Sequence, residues 1–320
     1  MKTKEIVKSK KAISERLGGR KNLRNNLELT LLALPTFLTL LFFRYVPMPG
    51  IIVSFKRYNF RDGIFGSKWN GFKNFEYVFS NTAALDSMRN TVLYNLVFIV
   101  LGLVIGIGLA LVMNNIMSKK CLKFYQTAIF IPYYLSWSIV TYILYAFLSN
   151  GYGMVNRVLE SLGLERIMFY DEKKYWPFIL TFMHFWKGFG YSTLLYYARI
   201  LGIDPSYYEA ASLDGASRWQ QAVYITIPGL APIIFISLIN SIGNILNSDF
   251  SMFWMLPMNS SLIKSVTSTL DTYSYAALRG GTGIAYGAAV GFFKSVVSMI
   301  LILLANGYIK RTFGAKRAMF

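Results

Sequence analysis

Six runs of mostly apolar residues, each close to the length that crosses a bilayer, constrain this chain more than anything else in it. A helix rises about 1.5 Å per residue, so a hydrocarbon core about 30 Å thick calls for about 20 such residues. Runs of that order occur at 27–43, with the apolar pattern continuing toward residue 55, and at 91–116, 124–148, 176–200, 227–246 and 285–309. Lys187 interrupts the fourth. Lipid offers no partner to backbone N–H and C=O groups, so a spanning segment of this kind must satisfy them internally as a helix. The expected fold is all-α: a polytopic membrane protein with six transmembrane helices. Charged residues make up only 15% of the chain, against about 25% in soluble domains.

The net charge of +18 raises nucleic acid as a partner, but the basic residues sit between the apolar runs and at both ends, not in one stripe. Membrane lipid is the partner this distribution implies. Residues 1–26 hold nine Lys and Arg against two Glu. Lys119, Lys120 and Lys123 lie between the second and third runs, and Lys310, Arg311, Lys316 and Arg317 follow the sixth. With the positive-inside bias, both termini are expected in the cytoplasm. The segment 45–89, on the opposite side in this topology, carries more basic than acidic residues and is an exception. The first run meets Arg44, Tyr45 and Pro47 with no small-residue cleavage site, so it is expected to be retained as an anchor. No repeat or linker divides the chain. The expected organisation is a basic cytoplasmic segment at 1–26, one membrane domain at 27–311, and a basic tail at 312–320. A single cysteine, Cys121, and a single histidine, His184, give no disulfide framework and no basis for a His/Cys metal site.

The stretch 204–228, expected on the cytoplasmic side between the fourth and fifth runs, is the most informative. Asp204 and Ser206 suit an N-cap, Pro205 a first helical turn, and Glu209, Ala210, Ala211 and Leu213 a helix. Asp214-Gly215 breaks it. A second helix is expected from 216 to 227, ended by Pro228. On periodicity alone this is an amphipathic loop at the membrane surface. Its residue string goes further. Glu209-Ala210-Ala211, Asp214-Gly215-Ala216, Ile225 and Ile227-Pro228 stand at the spacing of the EAA loop, and the chain resembles the permease subunits of binding-protein-dependent ATP-cassette importers. The likeness extends to ALPTFL (33–38), YVPMPGIIVSFKRYNF (45–60), NSIGNILNSDF (240–250), DTYSY (271–275) and the last span, which resemble the maltose-type carbohydrate group and its branch for breakdown products of complex polysaccharides.

That resemblance implies a type I ABC importer permease fold and a cytoplasmic coupling helix seated in an ATPase subunit. It also implies a second homologous permease, two ATPase subunits and an extracytoplasmic sugar-binding protein as partners. ATP and Mg would be bound by the ATPase subunits, with no cofactor, metal or catalytic residue on this chain. In the same reading Glu209 contacts the ATPase, Gly215 supplies the turn, and Ala210, Ala211 and Ala216 allow close approach. Ala222 departs from the aromatic residue many sugar permeases carry there. The residues themselves agree that hydrolysis happens elsewhere, since no glycine-rich loop followed by Lys-Ser/Thr occurs. Gly283, Gly287 and Gly291, four apart in an apolar run, read as a helix-packing face.

A sugar path needs aromatic faces and amides in a wet cavity. Asn240, Asn244 and Asn247 are candidates on one side of the fifth run, with interhelical hydrogen bonding as their alternative role. Trp186, Lys187 and Tyr191 in the fourth run, and Tyr133, Tyr134 and Trp137 in the third, are the aromatic candidates, with an interfacial belt or core packing as theirs. Lys187 and Lys294 are charges within apolar runs; each reads equally as a functional group or as a paired or snorkelling side chain, and a basic group in the cavity would favour an acidic sugar. Two other classes fit the residues less well. An ion-coupled transporter needs carboxylates inside the spans, where only Glu28 and Asp249 near span ends were found, and a membrane enzyme needs an acid–base or nucleophile cluster that the chain lacks. A non-sugar solute of the same importer class remains the nearer alternative.

Overall fold

The computed structural model describes residues 20–280 and 283–313, so most of the basic N-terminal segment and of the C-terminal tail lies outside the described residues. Helix α1, Arg20–Leu40, continues through a π turn at Leu41–Tyr45 and a 3-10 helix at Met48–Phe55. The apolar stretch therefore does run on to Phe55: Leu27–Phe55 is 29 residues long and its apolar window is 0% buried within the chain.

A small lobe follows. Strand β1, Lys56–Arg57, pairs antiparallel with β2, Lys68–Trp69. Lys56 is buried and donates to the carbonyls of Ile64 (2.9 Å) and Phe65 (2.8 Å). One of the basic residues that strained the charge rule thus closes a loop rather than facing an aqueous compartment. Asn74 of α2, Lys73–Ser80, fastens the lobe by donating to Ser54 O (2.8 Å) and Lys56 O (2.9 Å).

Helix α3, Thr82–Asn114, starts nine residues before the expected second span. Asn81 caps it, accepting from Ala83 N (2.9 Å) and Ala84 N (3.2 Å). Its early polar residues are helical because tertiary partners hold them: Asn90 donates to Ser265 O and Ser268 O at 2.9 and 3.0 Å. The third run, read as one span, is two helices, α4 at Lys119–Tyr134 and α5 at Trp137–Leu148, bent by 95°. The cause is local. Leu135 and Ser136 are extended, and Ser136 Oγ caps α5 by accepting from Ile139 N (3.3 Å).

Helix α6, Trp176–Ile200, is the centre of the body. It packs along α3 and α4, and at Gly190 an added Cβ would run into the Ile129 carbonyl. Among the described residues four helices, and the bent pair as a fifth, are long and apolar enough to cross a membrane; α6 is long enough but is not among them. Its Trp, Tyr, His and Lys residues are tolerated because neighbouring helices, not lipid, cover much of it. Further helices include α7, Pro205–Leu213; α8, Arg218–Gln221; α9, Ile227–Gly243; α10, Phe250–Met255; α11, Leu270–Arg279; and α12, Ile284–Phe313.

Three buried clusters tie these together. Trp176 and Leu180 of α6 meet Val140 of α5 and Met252 of α10. Ala110 of α3, Tyr196 of α6 and Leu230 of α9 form a second. Leu246, Leu270 and Val290 form the third. Within it α12 approaches α11 at its glycines: a Cβ on Gly283 would meet Ala277 O at 2.8 Å and one on Gly287 would meet Ser274 O at 3.1 Å, whereas Gly291 faces open space. The small-residue face therefore covers two of the three glycines.

Candidate functional site

Asp204 Oδ1 accepts from Ser206 N (2.9 Å) and starts α7, and that bond holds the Asp204 carboxyl below its ordinary range. Gly215, at φ +78°, turns the chain after Leu213 in a backbone region that disfavours side chains. Ser217 and Gln220 then form a capping box. The expected second helix does not end at Pro228. A π turn at Ala222–Thr226 joins α8 to α9, giving one continuous helical stretch Arg218–Gly243. Widening the ladder just upstream accommodates the missing N–H of Pro228.

This foot is braced from within. Tyr208 Oη and Thr226 Oγ1 lie 3.0 Å apart, Gln221 Nε2 donates to Ser212 Oγ (2.9 Å), and Arg218 Nη1 donates to Asn115 Oδ1 (3.0 Å) at the end of α3. Its outer face is bare. Glu209 and Ala210 are exposed, Asp214 and Gly215 are exposed at the turn, and Ala211, Ala216 and Ile225 are half-buried. Glu209 forms no ion pair among the described residues. Beside them stand apolar groups that sequence reasoning did not single out: Leu213 is 89% exposed and Trp219 73%, with Tyr207 and Tyr224 also outside. The signal was available, since a Leu at the end of a helix flanked by Glu, Asp and Gly has no apolar neighbour to bury it. Ala222, by contrast, is buried beneath the foot, so it is no part of the outer socket.

The second feature is the C-terminal end of the fifth span. The helix stops at Gly243, where an added Cβ would lie 2.9 Å from Ile302 Cδ1. Asn244 is its C-cap and Asn247 lies beyond it, so the three asparagines do not share one helical face as expected. They still form a continuous exposed rail: Asn247 Nδ2 donates to Asn244 Oδ1 (3.1 Å), and Asn244 Nδ2 to Asn240 O (2.8 Å). Asn95 of α3 holds the unwound stretch by donating to Ile245 O and Asn247 O, each at 2.9 Å. Asp249 then caps α10, accepting from Met252 N (3.1 Å), and also accepts from Trp137 Nε1 (2.7 Å).

Next to the rail is a cavity of about 410 Å³ between α3, α6 and α9, lined among others by Tyr133, Tyr191, Ser192, Ser237 and Asn240. Tyr133 and Tyr191 stack with centroids 5.6 Å apart. Lys187 is not itself a lining residue but reaches one, donating to Tyr133 O (2.9 Å) with its ammonium 5.2 Å from the Trp137 ring. Asn240 and Tyr191 thus line one cavity, whereas Trp137 stands outside that lining, beside Lys187. Trp186 does not line it either. One residue along the helix from Lys187, it turns toward an apolar crevice with Phe147, Phe178 and Phe182. His184 lies face to face on Phe98 at 3.7 Å, and among the described residues no group of three metal-ligating side chains occurs.

Sequence reasoning also missed Asp271. Its carboxylate pairs with the buried Lys294 and accepts from Ser248 N (2.7 Å) and Ser248 Oγ (2.9 Å). One carboxylate therefore lies inside the body, already neutralised; it escaped notice because α11 is too short and polar to read as membrane-embedded.

Comparison with known proteins places this arrangement. Residues 99–313 match the family described as the binding-protein-dependent transport system inner membrane component. The chain is 34% identical over 283 residues, 88% of either chain, to the polygalacturonan/rhamnogalacturonan transport system permease protein YteP of Bacillus subtilis (strain 168). It is 34% identical over 285 residues, 89% of either chain, to protein LplB of the same organism. Its fold is similar, with a TM-score of 0.82 and 30% identity, to a chain of a bacterial ABC transporter involved in the import of the acidic polysaccharide alginate, covering 91% of this chain and 98% of that one. A structure of the alginate transporter in complex with its alginate pentasaccharide-bound periplasmic protein gives 0.81. The helical body, the braced foot and the family match over two thirds of the sequence converge: this chain is a multi-pass membrane permease belonging to the family of binding-protein-dependent transport system inner membrane components.

Proposed function

We propose that this chain pairs with a second, homologous permease to form the path for oligosaccharides delivered by an extracytoplasmic binding protein, driven by two ATPase subunits that carry ATP and Mg. The observation that carries this is the foot at 204–228: braced by hydrogen bonds within itself and to Asn115 at the end of α3, yet presenting Glu209, Leu213 and Trp219 outward. A rigid element with a bare apolar tip transmits force only if another protein covers it. In this reading Glu209 supplies a charge contact, Gly215 the turn, and Ala210, Ala211 and Ala216 close approach, while Asp214, Ile225 and Pro228 hold the shape of the foot. This chain contributes no catalytic group; it converts closure of the ATPase pair into rocking of the spans, which shifts access only by the difference in affinity between the two states.

The first span supports a second permease. Its window is 0% buried within the chain, so lipid and a neighbouring subunit are what it has to pack against. The sugar assignment is supported by the stacked Tyr133 and Tyr191, by Trp137 and by the asparagine rail, and by the polysaccharide importers among the relatives. Both termini are assigned to the cytoplasm by the basic flanks, and the single domain at 27–311 by the absence of a dividing linker. The test is to purify the assembly from native membranes and identify its chains. One related permease, an ATPase present twice and a solute-binding protein that docks on it are expected; a transport-active homodimer without ATPase overturns the reading.

A further inference from the structure

We propose that Lys187 recognises a carboxylate on the passing sugar, which makes the substrate class uronate-bearing rather than neutral oligosaccharides; this rests on the importer reading above. Two lysines lie within the spanning body, and they are in opposite situations. Lys294 is buried and its charge is met by Asp271. Lys187 has no carboxylate within ion-pair distance among the described residues. Its ammonium donates one hydrogen bond, to Tyr133 O, and lies beside the rings of Tyr133 (5.3 Å) and Trp137 (5.2 Å). An ammonium has three donors, so two remain to be satisfied.

The Tyr133 carbonyl is open to Lys187 because the chain breaks at Leu135–Ser136. In an unbroken helix that oxygen would accept from the backbone N–H of residue 137. The bend therefore holds the half-buried lysine against Tyr133, a residue of the cavity lining, and beside Trp137. The carboxylate nearest in this chain of contacts, Asp249, is committed elsewhere: one oxygen accepts from Trp137 Nε1 and the other from Met252 N, with the indole between it and the ammonium. His184 on the same helix is stacked on Phe98. A membrane-embedded cation is costly to keep unless something anionic visits it. The surroundings say what kind of anion: stacked tyrosines and amides suit a pyranose, and a lone ammonium with one backbone partner suits a single carboxylate better than a phosphate, which draws several donors.

The test uses the whole importer in proteoliposomes and compares uptake of an oligogalacturonate with its methyl ester of equal length. The same binding protein serves every arm, so its own preference cancels when variants are compared. A hydrogen bond to a charged group predicts that Lys187→Gln lowers the charged-to-ester uptake ratio by about 10- to 100-fold. Lys187→Arg, which keeps the cation, retains the preference. An unchanged ratio in Lys187→Gln overturns the proposal. Should that variant not assemble, acylation of Lys187 in the wild-type complex gives the answer: the oligogalacturonate protects it and the ester does not, and equal protection overturns the proposal. ATP-driven uptake of neutral oligosaccharides alone refutes the uronate class and leaves the importer reading standing. No ATP-driven uptake of any sugar refutes that reading itself.

Discussion

Leu213 offers the sharpest test of the foot, because its structural and functional roles separate cleanly. It closes α7 at 89% exposure and is absent from the three buried clusters. Fully burying a leucine side chain contributes about 1.5–3 kcal/mol, so covering the 89% that is open is worth roughly 1.3–2.7 kcal/mol. At about 1.4 kcal/mol per tenfold, Leu213→Ser should weaken binding of the ATPase subunit by about 10- to 100-fold. The same substitution removes no internal packing, so the stability of the isolated permease should move by no more than about 0.5 kcal/mol. Titrating purified ATPase onto the permease in nanodiscs gives the first quantity, and denaturant unfolding of the isolated permease gives the second. A Kd changed by less than about twofold would mean that no protein covers the tip. A large loss of stability would mean instead that Leu213 has an internal partner, and the reasoning from exposure would fail.

Three further outcomes are expected. Lys294→Met leaves the partly buried Asp271 carboxylate without its cation and should cost about 1–3 kcal/mol, read as a lowered unfolding midpoint in detergent; adding Asp271→Leu should recover only part, since Ser248 loses its acceptor. Gly190→Ala drives a methyl into the Ile129 carbonyl, which cannot swing aside, and should cost about 1–3 kcal/mol, whereas Gly291→Ala, facing open space on α12, should be neutral or stabilising by up to about 1 kcal/mol. Glu209→Lys reverses the charge on the bare face of α7 and should let ATP hydrolysis continue while uptake falls; unchanged uptake with normal insertion counts against a coupling role for this residue.

What the sequence alone could settle followed from short-range rules. Run length located the helices, since a segment in lipid has to satisfy its own backbone, and the spacing from Glu209 to Pro228 placed the foot. The cap at Asp204 and the turn at Gly215 were legible for the same reason: both act within a few residues of themselves. Where the helices break was not. Ser136 is an unremarkable serine until it caps α5, and the asparagines of the fifth span share a face only on paper, because the close approach of Gly243 to Ile302 and the hold of Asn95 lie outside any local window. Pairing was equally invisible. Lys187 and Lys294 look alike as charges in apolar runs; whether each is neutralised depends on groups brought from other helices, and Asp271 meets Lys294 whereas Lys187 finds only a freed carbonyl. Local sequence thus determined the helices and the foot, whereas the bends and the fate of each buried charge were decided by tertiary packing, because the energy of a charge in a membrane depends on what stands within a few ångströms in space rather than along the chain.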